Sequence, residues 1–417
     1  MYIFACVNVV QRYAEGILQP RTYHGTGLAR FIHGRETLQG FGIYGIHTVA
    51  TYGLHKITLS NRNMDRVTDE KFMHRCLQLA RCGFCGAPPN PMVGAVVVHD
   101  GRIIGEGYHM RCGGPHAEVN AISAVTDKTL LPQSTVYVSL EPCSHYGKTP
   151  PCADLLVRCS VKRVVAGCID PFSKVQGRGV ARLREAGIEV TVGVLESECL
   201  ELNRRFVTFN RYGRPYVTLK WAQSSNGYIA AAGSARTIIS TPLTQMNAHR
   251  LRTMNQAILV GRRTAESDNP SLTARVWHGS SPLRVVIDHG AQLLPTLNIF
   301  NGEAPTLAVT VGPYSQMRPL TETFCPDWQS PLVPQILAEL HRRGIQTLLV
   351  EGGACTLQQF IDLGLWDEAV VEHGRAPVEG RVAAPAMPPH LQWESRTFMG
   401  GNFSVARNSE SRGILGI

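Results

Sequence analysis

Residues Pro115-His116-Ala117-Glu118, followed by Pro142-Cys143 and, after eight more residues, Cys152, restrict this chain more than any other stretch. They offer one imidazole, two thiols and one carboxylate. Three such nitrogen and sulfur donors hold Zn²⁺ in a tetrahedron and leave the fourth corner for water. To meet at one ion they need a fold that sets a helix start beside a strand end. The local pattern predicts both. His116 to Val125 reads as a helix with His116 and Glu118 on its first turn, and Thr135 to Leu140 reads as a strand delivering Glu141-Pro142-Cys143. Glu118 is not needed as a ligand. The positive end of its helix favours the carboxylate form. A carboxylate beside a water acidified by zinc can carry that water's proton to a departing amine. About one zinc per chain is expected, held by His116, Cys143 and Cys152.

The surrounding sequence alternates strands with helices. Asp69 to Ala80 carries Phe72, Met73, Cys76, Leu77 and Ala80 at a helical period, with Asp69 as the expected N-cap. Ala95 to His99 and Arg102 to Glu106 read as strands joined at Asp100-Gly101. Val161 to Ala166 reads as a strand, and Val180 to Ala186 as a helix closed by Gly187. This order predicts a three-layer α/β unit with a largely parallel sheet. The pattern breaks at Tyr212-Gly213-Arg214-Pro215. A second α/β unit follows, with strands expected at 216–221, 257–260, 283–287, 306–311 and 347–350 and helices at 244–253 and 356–363.

A chain of 417 residues suggests two domains. No apolar run reaches the ~18 residues a membrane span needs. The twelve cysteines lack the spacing of a secreted disulfide scaffold, and thiolates that bind zinc must stay reduced, so a cytoplasmic setting is expected. The formal charge of +9 raises nucleic-acid binding, but no basic stripe is interleaved with aromatics. Residues 1–63 hold six of the basic residues against Glu15 and Glu36 and show no clean period. They read as an extension outside the fold. It is either translated upstream sequence, with Met64 the natural start, or an organelle-targeting segment, although it has only Ser60 where transit peptides are Ser-rich.

His-x-Glu followed by Pro-Cys and a second Cys is the signature of zinc-dependent nucleobase deaminases, usually closed as Pro-Cys-x-x-Cys. Here the longer Glu141-Pro-Cys-Ser-His-Tyr-Gly-Lys-Thr-Pro-Pro-Cys152 resembles the zinc segment of the bifunctional riboflavin-biosynthesis deaminase/reductase family. So do Pro89-Asn-Pro-Met-Val-Gly94 and Gly105-Glu-Gly-Tyr-His109. Lys220-Trp-Ala-Gln-Ser-Ser-Asn-Gly227, Asp268-Asn-Pro-Ser-Leu-Thr273 and Val350-Glu-Gly-Gly353 resemble the family's reductase. The resemblance spans about residues 66–408. It implies a cytidine-deaminase-like three-layer α/β/α domain at 66–207 and a dihydrofolate-reductase-like α/β domain at 214–408.

The resemblance also implies an activity. The first domain would hydrolyse an amino group from 2,5-diamino-6-(5-phosphoribosylamino)pyrimidin-4(3H)-one. The second would use NADPH to reduce the ribosyl group, giving 5-amino-6-(5-phosphoribitylamino)uracil. Implied substrate contacts in the deaminase are Asn90, His109, His145 and Lys148. In the reductase they are Lys220, Arg252, Leu272, Arg275 and Glu351. Ala222, Ile238, Thr264, Asp268, Gly352 and Gly353 would line the NADPH site, and Arg262-Arg263 is a candidate for its 2′-phosphate. Expected partners are the small phosphoribosylaminopyrimidine and a second copy of the chain, with no nucleic acid and no membrane.

Each assignment has a plainer reading. Asn90 in Pro-Asn-Pro satisfies turn chemistry alone, and the cations are also ordinary loop or helix-surface charges. Cys82-x-x-Cys85 has no partner pair nearby, and Cys112 reads as loop filler. One departure stands out: the family's Ser-Leu-Asp-Gly is here Ser224-Ser225-Asn226-Gly227, and Asn cannot act as an acid. Two rival functions follow. One is a zinc deaminase of another nucleobase with an inert reductase-like module. The other is a nucleic-acid-binding protein with structural zinc, which would need a fourth ligand that no motif supplies.

Overall fold

Short β-branched segments, most of them buried along their whole length, build two large sheets. In this computed structural model the described residues are 66–146, 150–172, 176–231, 237–316, 318–411 and 413. The extension expected at 1–63 lies outside them. The first sheet comprises β1 (Gly94–His99), β2 (Arg102–Tyr108), β3 (Thr135–Val138), β4 (Arg163–Ala166) and β5 (Glu189–Val192), in the order β2-β1-β3-β4-β5. β3, β4 and β5 are parallel, but β1 is antiparallel to both neighbours. The largely parallel sheet expected is therefore only half parallel. The Asp100-Gly101 hairpin, with both residues at positive φ, reverses the chain into β2. The crossover from β2 to β3 then skips over β1 and leaves β1 antiparallel to β3.

Helices cover both faces. On one side α2 (Ala117–Ala124), α3 (Cys152–Arg158) and α4 (Arg178–Glu185) pack Ala121, Ile122, Leu156 and Leu183 on Val97, Val136, Val138 and Val164. On the other, helix α1 (66–81) sets Phe72, Met73 and Cys76 against Val96, Val98 and Val165, joined by Cys199 of α5 (Glu196–Leu202). Asp69 does not cap α1. It lies inside the helix because Tyr137 Oη and both Arg163 terminal nitrogens draw its carboxylate inward, at 2.8 and 2.9 Å. Glycines let α2 come close to the sheet: a Cβ on Gly105 or Gly107 would lie 2.4 or 2.6 Å from Ala121 backbone atoms. That approach fixes where His116 sits.

α6 (Arg204–Tyr212) leads to the second sheet at the expected break. There Arg214, fully buried, donates two 2.8 Å hydrogen bonds to Asp367. Removing one partner of such a pair costs about 3–5 kcal/mol. The strands are β6 (Tyr216–Gln223), β7 (Tyr228–Ala231), β8 (Ala257–Gly261), β9 (Leu283–Ile287), β10 (Thr306–Val309), β11 (Thr321–Phe324), β12 (Thr347–Val350), β13 (Glu368–His373), β14 (Gly380–Ala383), β15 (Trp393–Phe398) and β16 (Gly401–Arg407). Nine form one sheet ordered β11-β10-β9-β8-β12-β6-β13-β16-β15, and β7 pairs with β14. Six neighbouring pairs are parallel, and β16 is antiparallel to both of its neighbours.

α9 (Leu332–Arg342) and α10 (Ala354–Asp362) bury Ile336, Leu337, Leu357 and Phe360 on one face of this sheet. α7 (Pro242–Thr253) and α8 (Arg262–Asp268) bring Leu251 and Ala265 to the other. α7 starts two residues earlier than its apolar period predicts. Thr241 and Thr244 form a reciprocal capping box, and Pro242 occupies the first turn. No helix of the described residues is long and apolar enough to cross a membrane.

Candidate functional site

His116 is the N-cap of α2 and Cys152 opens α3, so two helix starts face the loop that leaves β3. His116 Nδ1 lies 3.5 Å from Cys143 Sγ and 3.3 Å from Cys152 Sγ. Zinc bonds of ordinary length at tetrahedral angles put nitrogen and sulfur about 3.6 Å apart. The donors therefore fit that ion, and these three are the metal-capable group among the described residues. Cys143 is drawn down to about 4, chiefly by the hydrogen bond from Cys152, with His116 assisting. Cys152 is pushed up by that hydrogen bond and by burial. A divalent cation would favour the thiolate form of both.

Glu118 is 3% exposed. Burial, and then the Cys143 charge, push its carboxyl up to about 7. The helix's positive end was expected to hold the charged form, but desolvation outweighs it. Beside the donors, His109 Nδ1 donates to Pro115 O at 3.0 Å, which leaves Nε2 to accept from Asn90 Nδ2 at 3.1 Å. Burial lowers the His109 pKa and keeps the ring neutral, consistent with that tautomer. Asn90 Oδ1 is left as an acceptor.

Two further groups hold this site and escaped the sequence reading. Glu141 accepts backbone N–H groups of Asp170, Gly177, Gly179 and Val180 at 2.8–3.2 Å, which anchors the chain immediately before Pro142-Cys143. Asn203 clasps Met92 through N–H and C=O, at 2.8 and 2.9 Å, and so fixes the loop that carries Asn90. His145 is exposed, with its ring edge towards Phe172. Lys148 lies outside the described residues. Cys82, Cys85 and Cys112 are free, exposed and apart from the donor group.

A cleft of about 1,400 Å³ opens at the carboxyl ends of β6, β8 and β12, where ligands of parallel sheets bind. Lys220, Ala222, Arg252, Leu272, Arg275 and Glu351 line it. So do Ile238, Thr264, Asp268 and Gly353. Gly352 packs behind them: a Cβ there would lie 2.4 Å from Val260 Cα. Gly353, at φ +59°, would set a Cβ 3.1 Å from Thr264 Oγ1, and Gly261 would set one 2.6 Å from Thr356 Oγ1. These glycines leave a cradle against the first turn of α10, which suits a dinucleotide phosphate. Glu351 is gripped by Arg252, whose other terminal nitrogen reaches Thr273 O at 3.2 Å. Burial works against the Glu351 charge, but Arg252 holds its carboxyl below the usual range. His249 was also missed. It is buried, and its Nδ1 accepts the backbone N–H of Arg275 at 3.1 Å.

Comparison with known proteins agrees with both halves. Residues 66–168 match the family model for the cytidine and deoxycytidylate deaminase zinc-binding region, and 215–374 match the RibD C-terminal domain. A riboflavin biosynthesis protein RibD from Aquifex aeolicus (strain VF5) is 40% identical over 312 residues, covering 74% of this chain and 87% of that protein. The chain belongs to the RibD family. Another RibD, from Bacillus amyloliquefaciens, is 37% identical over 355 residues, 81% of this chain and 95% of its own length. The solved deaminase/reductase of Thermotoga maritima superposes with a TM-score of 0.70 at 35% identity, covering 82% of this chain and 99% of that one.

As a RibD family member the chain is a bifunctional riboflavin-biosynthesis enzyme. Its deaminase domain binds zinc, and its reductase domain uses NADPH. The departure at Asn226 has a structural role. Its amide bridges Ser224 and both backbone groups of Val378, at 2.7–3.1 Å, and it does not line the cleft.

Proposed function

We propose that the chain catalyses two consecutive steps of riboflavin synthesis, one in each of two domains at 66–207 and 214–408. The first is hydrolytic removal of the 2-amino group of 2,5-diamino-6-(5-phosphoribosylamino)pyrimidin-4(3H)-one. The second is reduction of the ribosyl group to give 5-amino-6-(5-phosphoribitylamino)uracil. The observation that carries this reading is the convergence of His116, Cys143 and Cys152 beside the buried Glu118, in a chain that also bears the glycine-lined cleft.

Zinc held by His116, Cys143 and Cys152 would supply a Lewis acid at its fourth corner. Glu118, which needs no ligand role, takes a proton from the attacking water and returns it to the departing amine, so that ammonia leaves. Asn90, oriented by His109, offers Oδ1 to the pyrimidine edge, and His145 and Lys148 would take the ribose phosphate. NADPH would supply the hydride in the second site. There Lys220, Arg252, Leu272, Arg275 and Glu351 hold the substrate, while Ala222, Ile238, Thr264, Asp268 and Gly353 hold the cofactor, with Gly352 packed behind them.

Eleven free cysteines among the described residues suit a reducing cytoplasm. We also read the working form as a homo-oligomer, since β15 leaves an open edge on the nine-stranded sheet. The test is zinc content measured together with ammonia release and NADPH consumption on the phosphoribosyl substrate. Ammonia release without NADPH consumption would leave only a deaminase with an inert second module.

A further inference from the structure

We infer that Arg263 reads the 2′-phosphate of NADPH and thereby sets the reductase's preference for NADPH over NADH. This rests on NADPH being the dinucleotide of the cleft. The cationic side chains lining that cleft are Lys220, Arg252, Arg262, Arg263 and Arg275. Arg252 is paired with Glu351. Arg275 is tied to Thr273 Oγ1 at 2.9 Å, and its backbone to His249. Lys220 adds its positive charge beside Glu351. These three serve the end of the cleft around Glu351.

The other two are neighbours with different commitments. Arg262 donates from Nε to Glu266 at 2.8 Å and reaches Gln292 Oε1 as well. Arg263 is exposed, and among the described residues its guanidinium has no hydrogen-bond or ion-pair partner. It stands on the first turn of α8, between Gly261, which closes on Thr356, and Thr264, which faces Gly353. The uncommitted cation is thus beside the glycine cradle rather than beside Glu351. A dinucleotide with its pyrophosphate in that cradle presents its adenosine ribose nearby. An arginine at that ribose accommodates a 2′-phosphate, and its planar fork makes paired, charge-assisted hydrogen bonds. NADH carries a hydroxyl there and gains little from the cation.

The test uses the full chain and equilibrium binding. NADPH and NADH are titrated by dinucleotide fluorescence, and 2′,5′-ADP and 5′-AMP compete. Arg263→Gln should weaken NADPH and 2′,5′-ADP about 10- to 100-fold, the loss expected for a hydrogen-bonded charge. NADH and 5′-AMP should stay within about twofold, since they lack the 2′-phosphate. Arg263→Lys should recover part of the affinity. Arg262→Gln should weaken 2′,5′-ADP less than about threefold, because its charge is already paired. An equal loss of NADPH and NADH in Arg263→Gln would overturn the inference by showing a structural role. Unchanged 2′,5′-ADP binding, or a larger effect at Arg262, would overturn it too. If the wild-type chain bound neither NADPH nor 2′,5′-ADP, the cofactor reading itself would fall.

Discussion

Arg252 holds both carboxylate oxygens of Glu351, at 3.1 and 2.7 Å, with both side chains nearly out of solvent. The pair lies at the end of β12 on the wall of the cleft, so one interaction sets both the local charge and the shape of the second site. Truncating Glu351 leaves a guanidinium without its partner, which costs several kcal/mol in a buried setting. Glu351→Ala should impair NADPH oxidation on the deaminated intermediate and lower the melting temperature. Ammonia release by the first domain should persist. Unimpaired reduction would remove Glu351 from the substrate site.

The same pair gives a pH dependence of defined sign. Arg252 depresses the Glu351 pKa below the ordinary value of 4.5. A depressed carboxyl contributes stability that is present above the unfolded pKa and is lost as pH falls through the folded one. The melting-temperature gap between wild type and Glu351→Gln should therefore be constant near neutrality and narrow only below about pH 4.5. A gap that narrows on raising the pH above neutrality would contradict the pairing.

Glu141 carries a prediction that its position before Pro142-Cys143 does not advertise. Its carboxylate gathers four backbone N–H groups from the segment 170–180. Groups that orient a metal ligand typically contribute 10–100-fold to metal affinity. Glu141→Gln turns an amide donor towards donors, so zinc affinity should fall by about that factor while His116, Cys143 and Cys152 are all retained. Competition with a zinc-binding dye measures it. Unchanged affinity would show that the loop is held by other contacts.

The convergence of His116, Cys143 and Cys152 was legible because a ligand set is written as residue types at set spacings. β6, β8, β9, β10 and β12 were legible because a buried parallel strand is a short β-branched run, whereas β7 and β11 were not foreseen. What stayed hidden depends on contacts distant in sequence. Asp69 looks like an N-cap, and only the fold brings Tyr137 and Arg163 to it. Asn203 lies 111 residues from the Met92 backbone it holds. β13, β15 and β16 are tied to the sheet by pairing that no local period announces. Asn226 read as a lost acid, because its bond to Val378 spans 152 residues.

The metal assignment is tested by cysteine choice. The purified chain should hold about one zinc, and a Cys143→Ala/Cys152→Ala variant should lose it. Cys82→Ser/Cys85→Ser should keep it, since those thiols are exposed and outside the donor group. Elemental analysis after dialysis decides. Zinc lost from the second variant and retained in the first would mean that the other cysteines bind the ion.

Glu118 separates the two activities most sharply. Glu118→Gln keeps the size of the side chain but cannot accept a proton from water. General acid–base catalysis contributes about 10²–10⁴-fold, so deamination should fall by at least that order. Zinc should remain, because the donors are His116, Cys143 and Cys152 and the buried carboxyl beside them is not needed to complete the set. The reductase cleft is built from residues 220 to 382, on a different sheet. The variant should therefore still oxidise NADPH when given the deaminated intermediate. Retained deamination would take Glu118 out of the mechanism. Loss of both activities with fold and zinc intact would mean that the two reactions share one site, because a change confined to the α2 start has no path to the Arg252–Glu351 wall except through a common substrate pocket.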